Sequence, residues 1–337
     1  MVLAQQLSEA RPAGHRPLEL VELPEPVPAG DEIVIDVEAC ALCRTDLQIC
    51  EGDLAARRLP IVPGHQIVGT VLACGDDVAH VVRGRRVGVA WVAGTCGACR
   101  FCATGRENLC DDATFTGWDR DGGFAERVAV RADFAFPLPD GFDPIAAAPL
   151  LCGGAIGLRA LRVSGIRPGG RLGLFGFGAS ATCAIQIARH WGCDVYVSTR
   201  SVAEQERARS MGARWAAGYD ERPPHPLDAA VTFAPAGSVV VDALRSLDKG
   251  GTVAINAIHL DEIPAFPYDD LWWERQIRSV ANVTRADVAE LVELAAAIPI
   301  RTRVDRYPLD AANDALIDLA EGRISGAAVL VPGDHRG

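Results

Sequence analysis

The chain has 337 residues, long for a single hydrophobic core, so two domains are expected. Hydrophobic residues make up 49% and charged residues 23%, the ordinary balance of a soluble globular protein. A formal net charge of -11, with no basic stripe to offset it, argues against nucleic acid or an anionic membrane as a partner.

The opening segment, MVLAQQLSEARPAGHRP, lacks a positively charged region followed by a long apolar run and does not read as a signal peptide. Further on, PIAAAPLLCGGAIGL (144–158) is uncharged but too short for a membrane span, and Pro and Gly break it. A cytoplasmic location is expected. In a reducing compartment, eleven cysteines then need a reason other than disulfides.

In chain order, the first 150 residues read as β-rich. DEIVIDVEACAL, IVGTVLACG and RRVGVAWV are β-branched runs separated by Gly, Asp and Pro turns. Cys43 follows the first run, in ALCRTDLQ, with Thr45 and Asp46 close behind. In PGHQIVG, Pro63 and Gly64 mark a turn and His65 stands against a buried strand. By spacing alone, Cys43 is more often a buried thiol, and His65 a hydrogen-bonded structural residue, than a ligand.

The next segment, CGACRFCATGRENLC, places Cys96, Cys99, Cys102 and Cys110 in the spacing C-x2-C-x2-C-x7-C. Two-residue gaps turn successive thiolates toward one ion, Gly97 and Gly105 supply tight turns, and four thiolates complete tetrahedral zinc. An iron–sulfur site also opens with C-x2-C-x2-C, but here the fourth Cys is eight positions on, with no Pro after it. Buried structural thiols are the plainer alternative. A closed zinc site would hold a lobe together without catalysing anything.

Near residue 152 the texture changes, and to about residue 282 short apolar strands alternate with helical patterns, which predicts a doubly wound parallel sheet. In RLGLFGFGASATCAIQIA a strand runs into Gly176-x-Gly178-x-x-Ala181 and a helix follows. The first Gly makes the turn, the second admits a pyrophosphate to the helix N-terminus, and the small third residue lets helix pack on strand. The alternative is a plain Gly-rich turn. About twenty residues on, where an NAD enzyme carries Asp or Glu, the strand DVYVS ends in Thr199-Arg200-Ser201. No carboxylate stands there in sequence to repel a 2′-phosphate, and a guanidinium with two hydroxyls suits one. NADP(H) is expected in preference to NAD(H), unless Arg200 is a solvated loop residue. After residue 282, RADVAELVELAAAI reads as an amphipathic helix, and GAAVLVP as a strand that could return to the first domain.

Together the Cys43-Arg44-Thr45-Asp46 block, Gly64-His65, the four-Cys lobe, DGGFAERV (121–128), Cys152 and the Gly-rich turn resemble a zinc-containing alcohol dehydrogenase of the medium-chain dehydrogenase/reductase family. The resemblance runs over essentially the whole chain. It implies an α/β protein: a GroES-like β-rich catalytic domain from residues 1–152 and 283–337, with a structural zinc lobe at about 94–112, and a Rossmann domain at 153–282. It implies two zinc ions per chain. Cys43, His65 and Cys152 would bind the catalytic one with one position open, and Asp46 would hold His65 in one tautomer. Thr45 would take the alcohol proton, Arg44 would contact the cofactor pyrophosphate, and hydride would pass between nicotinamide and substrate across the cleft. The relatives' habit implies a homodimer or homotetramer.

Three positions depart from the family pattern. Gln48 stands where many members have a proton-relaying His, so the relay would use water or the ribose. Gln66 replaces the Glu that commonly follows the ligand His, leaving one less negative charge beside the zinc. Ala327 stands where many relatives carry a cofactor-contacting Arg. Trp91, Phe115, Trp118 and Ile258 are candidate pocket walls, or simply core residues. As walls they suggest medium-chain or aromatic alcohols and aldehydes. The other outcome is a catalytically degenerate zinc-binding protein.

Overall fold

The computed structural model describes every residue except His259, Ser325, Arg336 and Gly337. The run EIVIDVEACAL forms strand β1, Glu32–Leu42, and nearly all of it is buried because neighbours use both of its edges. It pairs antiparallel with β2, Gln66–Cys74, with Arg127–Arg131 near its start, and with Ala327–Val331 at its end. A strand covered this way cannot alternate apolar with polar and must be apolar almost throughout. Register shifts after Val34 and Val37 bend β1 against β2, so that its two ends reach different partners. Helix α1, Arg44–Glu51, starts directly from the end of β1.

The chain divides into two compact units. One holds Met1–Cys152, Asn282–Ala297 and the residues from Arg301 on; the other holds Gly153–Ala281 and Ile298–Ile300. The first is built on a seven-stranded sheet, in which β1 and β2 are central. Its core is Val, Ile, Leu and Ala from these strands, closed by Phe124. The C-terminal run GAAVLVP does return to this sheet, between β1 and Val304–Pro308.

The second unit is a six-stranded sheet, parallel throughout. Strand β3, Arg171–Phe175, lies in its middle, beside β4, Asp194–Ser198, on one hand and Leu227–Thr232 on the other. Helix α2, Ala179–His190, links β3 to β4, and α3, Val202–Ser210, follows β4. Counted from β3, the spatial order is 3-2-1-4-5-6, a Rossmann sheet whose direction of winding reverses beside β3. Helix α4, Arg285–Ala297, belongs to the first unit and buries Val288, Leu291 and Val292.

One expectation changes. The apolar stretch after Asp143 is longer than its uncharged part suggested: helical residues run from Pro144 to Ser164, 21 residues that take in Arg159 and Arg162, and the most apolar window of 18 has a mean hydropathy of 1.5. The run is broken at Cys152, whose φ of -121° and ψ of -69° leave the helix, and 61% of its most apolar window is buried inside the protein. Among the described residues it is the one helical run of that length and hydropathy.

Candidate metal centres and nucleotide turn

Cys43, His65 and Cys152 converge, with donor atoms within 4.8 Å of one another. Each is presented by a local feature. Cys43 caps α1: its N–H donates to the Asp46 carboxylate at 2.8 Å, and its sulfur accepts from the Thr45 N–H at 3.3 Å. His65 stands one residue before β2, after Gly64 with φ +96°. A Cβ on Gly64 would lie 2.4 Å from the Phe124 ring and 2.9 Å from the Cys40 sulfur, so only glycine makes this turn. Cys152 sits at the break in the 144–164 run.

The spacing suits a metal. Around a tetrahedral zinc, a sulfur at about 2.3 Å and an imidazole nitrogen at about 2.0 Å stand roughly 3.5 Å apart. Cys43 Sγ and His65 Nε2 are 3.4 Å apart. The other ring nitrogen, Nδ1, lies 2.9 Å from Asp46 Oδ1. The carboxylate engages Nδ1 and leaves Nε2 facing the thiols. Asp46 and His65 are 0% and 1% exposed, so neither trades partners with water. Burial by itself would push the His65 pKa down, but Asp46 and Cys43 outweigh it and hold it up at about 10. Hydrogen bonding from Cys152 works against burial, and with His65 beside it the Cys43 thiol is held well below its usual range. Burial is also what raises the Asp46 carboxyl, against the pull of His65. Negative charge gathered in so dry a setting favours a cation there.

Gln66, the neighbour of His65, is buried, and its amide nitrogen donates to the Ala41 carbonyl at 3.2 Å. A carboxylate in that place would set two acceptors against each other. The departure thus has a local reason in the β1–β2 pair. Gln48 is half-buried in α1, and its carbonyl accepts from Gly52 and Leu54. Arg44 is exposed on the same helix.

In the lobe, Cys96 Sγ lies 3.9 Å from Cys102 Sγ and 3.5 Å from Cys110 Sγ, and Cys99 Sγ lies 3.6 Å from Cys102 Sγ. Four sulfurs around one zinc stand about 3.8 Å apart. An iron–sulfur cluster interposes several atoms between its cysteines and needs a wider cage, so the spacing fits one ion. None of the eleven cysteines is joined in a disulfide. The lobe is tied to α4 through buried Glu107, whose carboxylate accepts from the Arg285 N–H at 2.9 Å. Sequence reading missed this contact, which spans 178 positions.

Three of the four candidate pocket residues form one cluster. Trp91 meets the His65 ring edge-on at 4.9 Å and stacks on Phe115 at 5.0 Å and Trp118 at 5.8 Å. Trp118 is pinned by its indole N–H to the Ala55 carbonyl and by the Arg57 guanidinium, 3.9 Å over its ring. Nothing in the sequence marked Arg57. Ile258 belongs to the second unit and is 67% exposed.

In the second unit, Gly176 has φ +92°, and a Cβ there would lie 2.9 Å from the Ala234 nitrogen. Gly178 precedes α2 and has open space where a Cβ would be, while Ala181 is fully buried against the sheet. The first turn of α2 carries no acidic residue. Its free N–H groups and open approach fit a pyrophosphate. The Gly176 N–H donates to the Ser198 carbonyl at 2.7 Å, which sets this turn beside the end of β4.

At that end the structure corrects the sequence reading. A carboxylate is present after all, brought back by α3: Thr199 Oγ1 donates to Glu204 Oε2 at 2.5 Å. Ser201 caps α3, its hydroxyl accepting from the Glu204 N–H at 3.3 Å. Arg200 is exposed. The signal was available, since Ser201-x-x-Glu204 is the S-x-x-E pattern of a helix start.

Residues 29–140 match the family described as "Alcohol dehydrogenase GroES-like domain", and residues 179–297 the family described as "Zinc-binding dehydrogenase". A probable alcohol dehydrogenase AdhA of Mycobacterium tuberculosis is 46% identical over 97% of this chain and 96% of its own length. An alcohol dehydrogenase of Geobacillus stearothermophilus is 32% identical, over 93% of this chain and 95% of its own. Among solved structures, a cobalt- and zinc-bound thermostable alcohol dehydrogenase from Pyrobaculum aerophilum superimposes with a TM-score of 0.87 at 27% identity, over 98% of this chain and 99% of that one. With a GroES-like unit, a Rossmann unit and two clusters of candidate metal ligands, the chain belongs to the zinc-dependent alcohol dehydrogenases of the medium-chain dehydrogenase/reductase family.

Proposed function

We propose that the chain is an alcohol dehydrogenase and aldehyde reductase, exchanging hydride between NADP(H) and a medium-chain or aromatic alcohol or aldehyde. The convergence of Cys43, His65 and Cys152, with Asp46 behind the histidine, carries this reading. These three residues would hold a catalytic zinc, and Cys96, Cys99, Cys102 and Cys110 would hold a structural one. When bound, the zinc supplies a Lewis acid for the substrate oxygen, and the nucleotide supplies or accepts hydride. Asp46 keeps the His65 ring oriented. Thr45 takes the alcohol proton, and because Gln48 does not titrate, the proton leaves through water or the cofactor ribose. The cluster of Trp91, Phe115 and Trp118 beside His65 favours flat, apolar substrates over polyols.

Gly176, Gly178 and Ala181 form the pyrophosphate turn, with Arg44 as a further contact. Exposed Arg200 at the end of β4 favours NADP(H). Glu204 beside Thr199 favours the second reading, the same reaction with NAD(H). Self-association, as a homodimer or homotetramer, is supported by the outer sheet edge at Gln276–Ser279 and the exposed aromatic residues that precede it. Eleven cysteines with no disulfide among them fit a reducing, cytoplasmic setting.

The test is metal analysis together with initial rates on benzaldehyde and hexanal, using NADPH and NADH in parallel. Two zinc ions per chain and turnover of either aldehyde are expected. Cys152→Ser should lose one zinc and essentially all turnover while keeping the four-Cys zinc. Turnover that survives this substitution rules out Cys152 as a ligand, and a native protein inactive across a broad aldehyde panel is a zinc-binding protein instead.

A further inference from the structure

We infer that Glu204 limits the preference for NADP(H), opposing the 2′-phosphate that Arg200 attracts. The inference rests on the proposed pyridine-nucleotide site and sharpens it. In a Rossmann sheet the group at the end of the second strand meets the ribose hydroxyls of the adenosine half. Here that strand is β4, and its end lies beside the glycine turn through the bond from the Gly176 N–H to the Ser198 carbonyl.

Of the three residues following β4, two have hydroxyls already engaged by one residue. Thr199, only 3% exposed, gives its proton to the Glu204 carboxylate. Ser201 accepts from the Glu204 N–H. Arg200 is exposed. The next cation on α3, Arg207, is engaged in the glycine turn, its guanidinium donating to the Phe177 carbonyl and lying 5.3 Å over the Phe177 ring. Both Arg200 and Glu204 act electrostatically on Tyr219, with opposite sign, so the two charges share one neighbourhood.

A 2′-phosphate carries about -1.5 to -2 charges, and a carboxylate a few ångströms off repels it about as strongly as one guanidinium attracts it. A 2′-hydroxyl carries no charge and can donate to the same carboxylate. Glu204 therefore works against the phosphorylated ribose and in favour of the plain one. A helix-borne acid does here what a strand-borne acid does elsewhere, with Thr199 holding it at the strand end.

The experiment is calorimetric binding of 2′,5′-ADP and 5′-AMP to the full chain at low salt, comparing the native protein with Glu204→Gln, Glu204→Ala and Arg200→Ala. The readout is the ratio of the two dissociation constants within each protein, so loss of folded material cancels. Both Glu204 variants should move the ratio toward 2′,5′-ADP by about ten-fold or more, and the gain should shrink as salt rises. Ratios within two-fold of native in both variants overturn the inference. So does a shift in Glu204→Ala alone, which would trace the effect to packing rather than charge. Arg200→Ala reports on the NADP(H) reading separately, by its loss of 2′,5′-ADP binding. If the native chain binds neither fragment, the nucleotide site itself is wrong, and the inference falls with it.

Discussion

At His65, identity and environment together decide what a side chain does. A histidine beside an apolar strand is ordinarily a core residue, and no neighbour in sequence says otherwise. The structure supplies Asp46 at 2.9 Å on one ring nitrogen and Cys43 at 3.4 Å on the other, with the ring and the carboxylate out of contact with water. Asp46→Asn keeps the shape but removes the charge that orients and polarises the ring. It should lower zinc occupancy at this centre or turnover by about 10–100-fold, read by metal titration and by kcat, with the four-Cys zinc unchanged. An Asp46→Asn protein with native zinc affinity and native kcat would show that the pair is merely structural. Gln66 teaches the same lesson in reverse. Its amide looked like a lost charge near the metal, yet it is spent on the Ala41 carbonyl, a partner visible only once β1 and β2 are paired.

Among the elements, the lobe and α4 are held together by one buried carboxylate. Glu107 stands between Cys102 and Cys110, and accepts from the backbone at the start of α4, where Thr284 and Asp287 also bond each other's N–H groups. Acidic groups at a helix start meet both its free donors and its dipole. Glu107→Ala should cost about 1–3 kcal/mol in denaturant unfolding, because a part-buried donor is left without its acceptor. It should also speed hydrogen exchange at Arg285. Native exchange at that amide would mean the bond is not made in solution. The start of α3 follows the same logic, since its cap brings Glu204 to Thr199. There the local S-x-x-E pattern was legible, but its consequence for the strand end was not, because the chain must turn back on itself to deliver the carboxylate.

For the whole molecule, one of the two edge strands of the second unit's sheet is exposed. Gln276–Ser279 pairs on one side only, and just before it Tyr268, Trp272 and Trp273 are 65%, 50% and 52% exposed. Trp273 and Glu274 hold φ of 74° and 60°, costly for residues other than glycine. That turn is kept in place by the Gly250 N–H donating to the Trp273 carbonyl and by Arg275, which donates to four backbone carbonyls. An open edge beside exposed tryptophans is a surface that a second copy would cover. Light scattering should give a mass above one chain, and changing Trp272 and Trp273 together to Ala should shift it toward the monomer at micromolar concentration. A native protein of one-chain mass at high concentration would end this reading.

The parts of this protein legible in sequence are those whose residues lie in one short segment. The four-Cys lobe and the glycine turn show themselves by spacing, since the backbone between the key residues is too short to place them otherwise. The switch from β-rich runs to alternating strands and helices likewise announced two kinds of sheet. Cys43, His65 and Cys152 were recognisable only by resemblance, because strand pairing and a broken helix bring them together, and neither leaves a local period. The same holds for the stacking of Trp91 on Phe115 and Trp118, and for the Glu204 carboxylate at the end of β4. Spacing settles what a rigid local backbone can enforce. Contacts that depend on which strand pairs with which, and on where a helix ends, are decided only when the whole chain has folded.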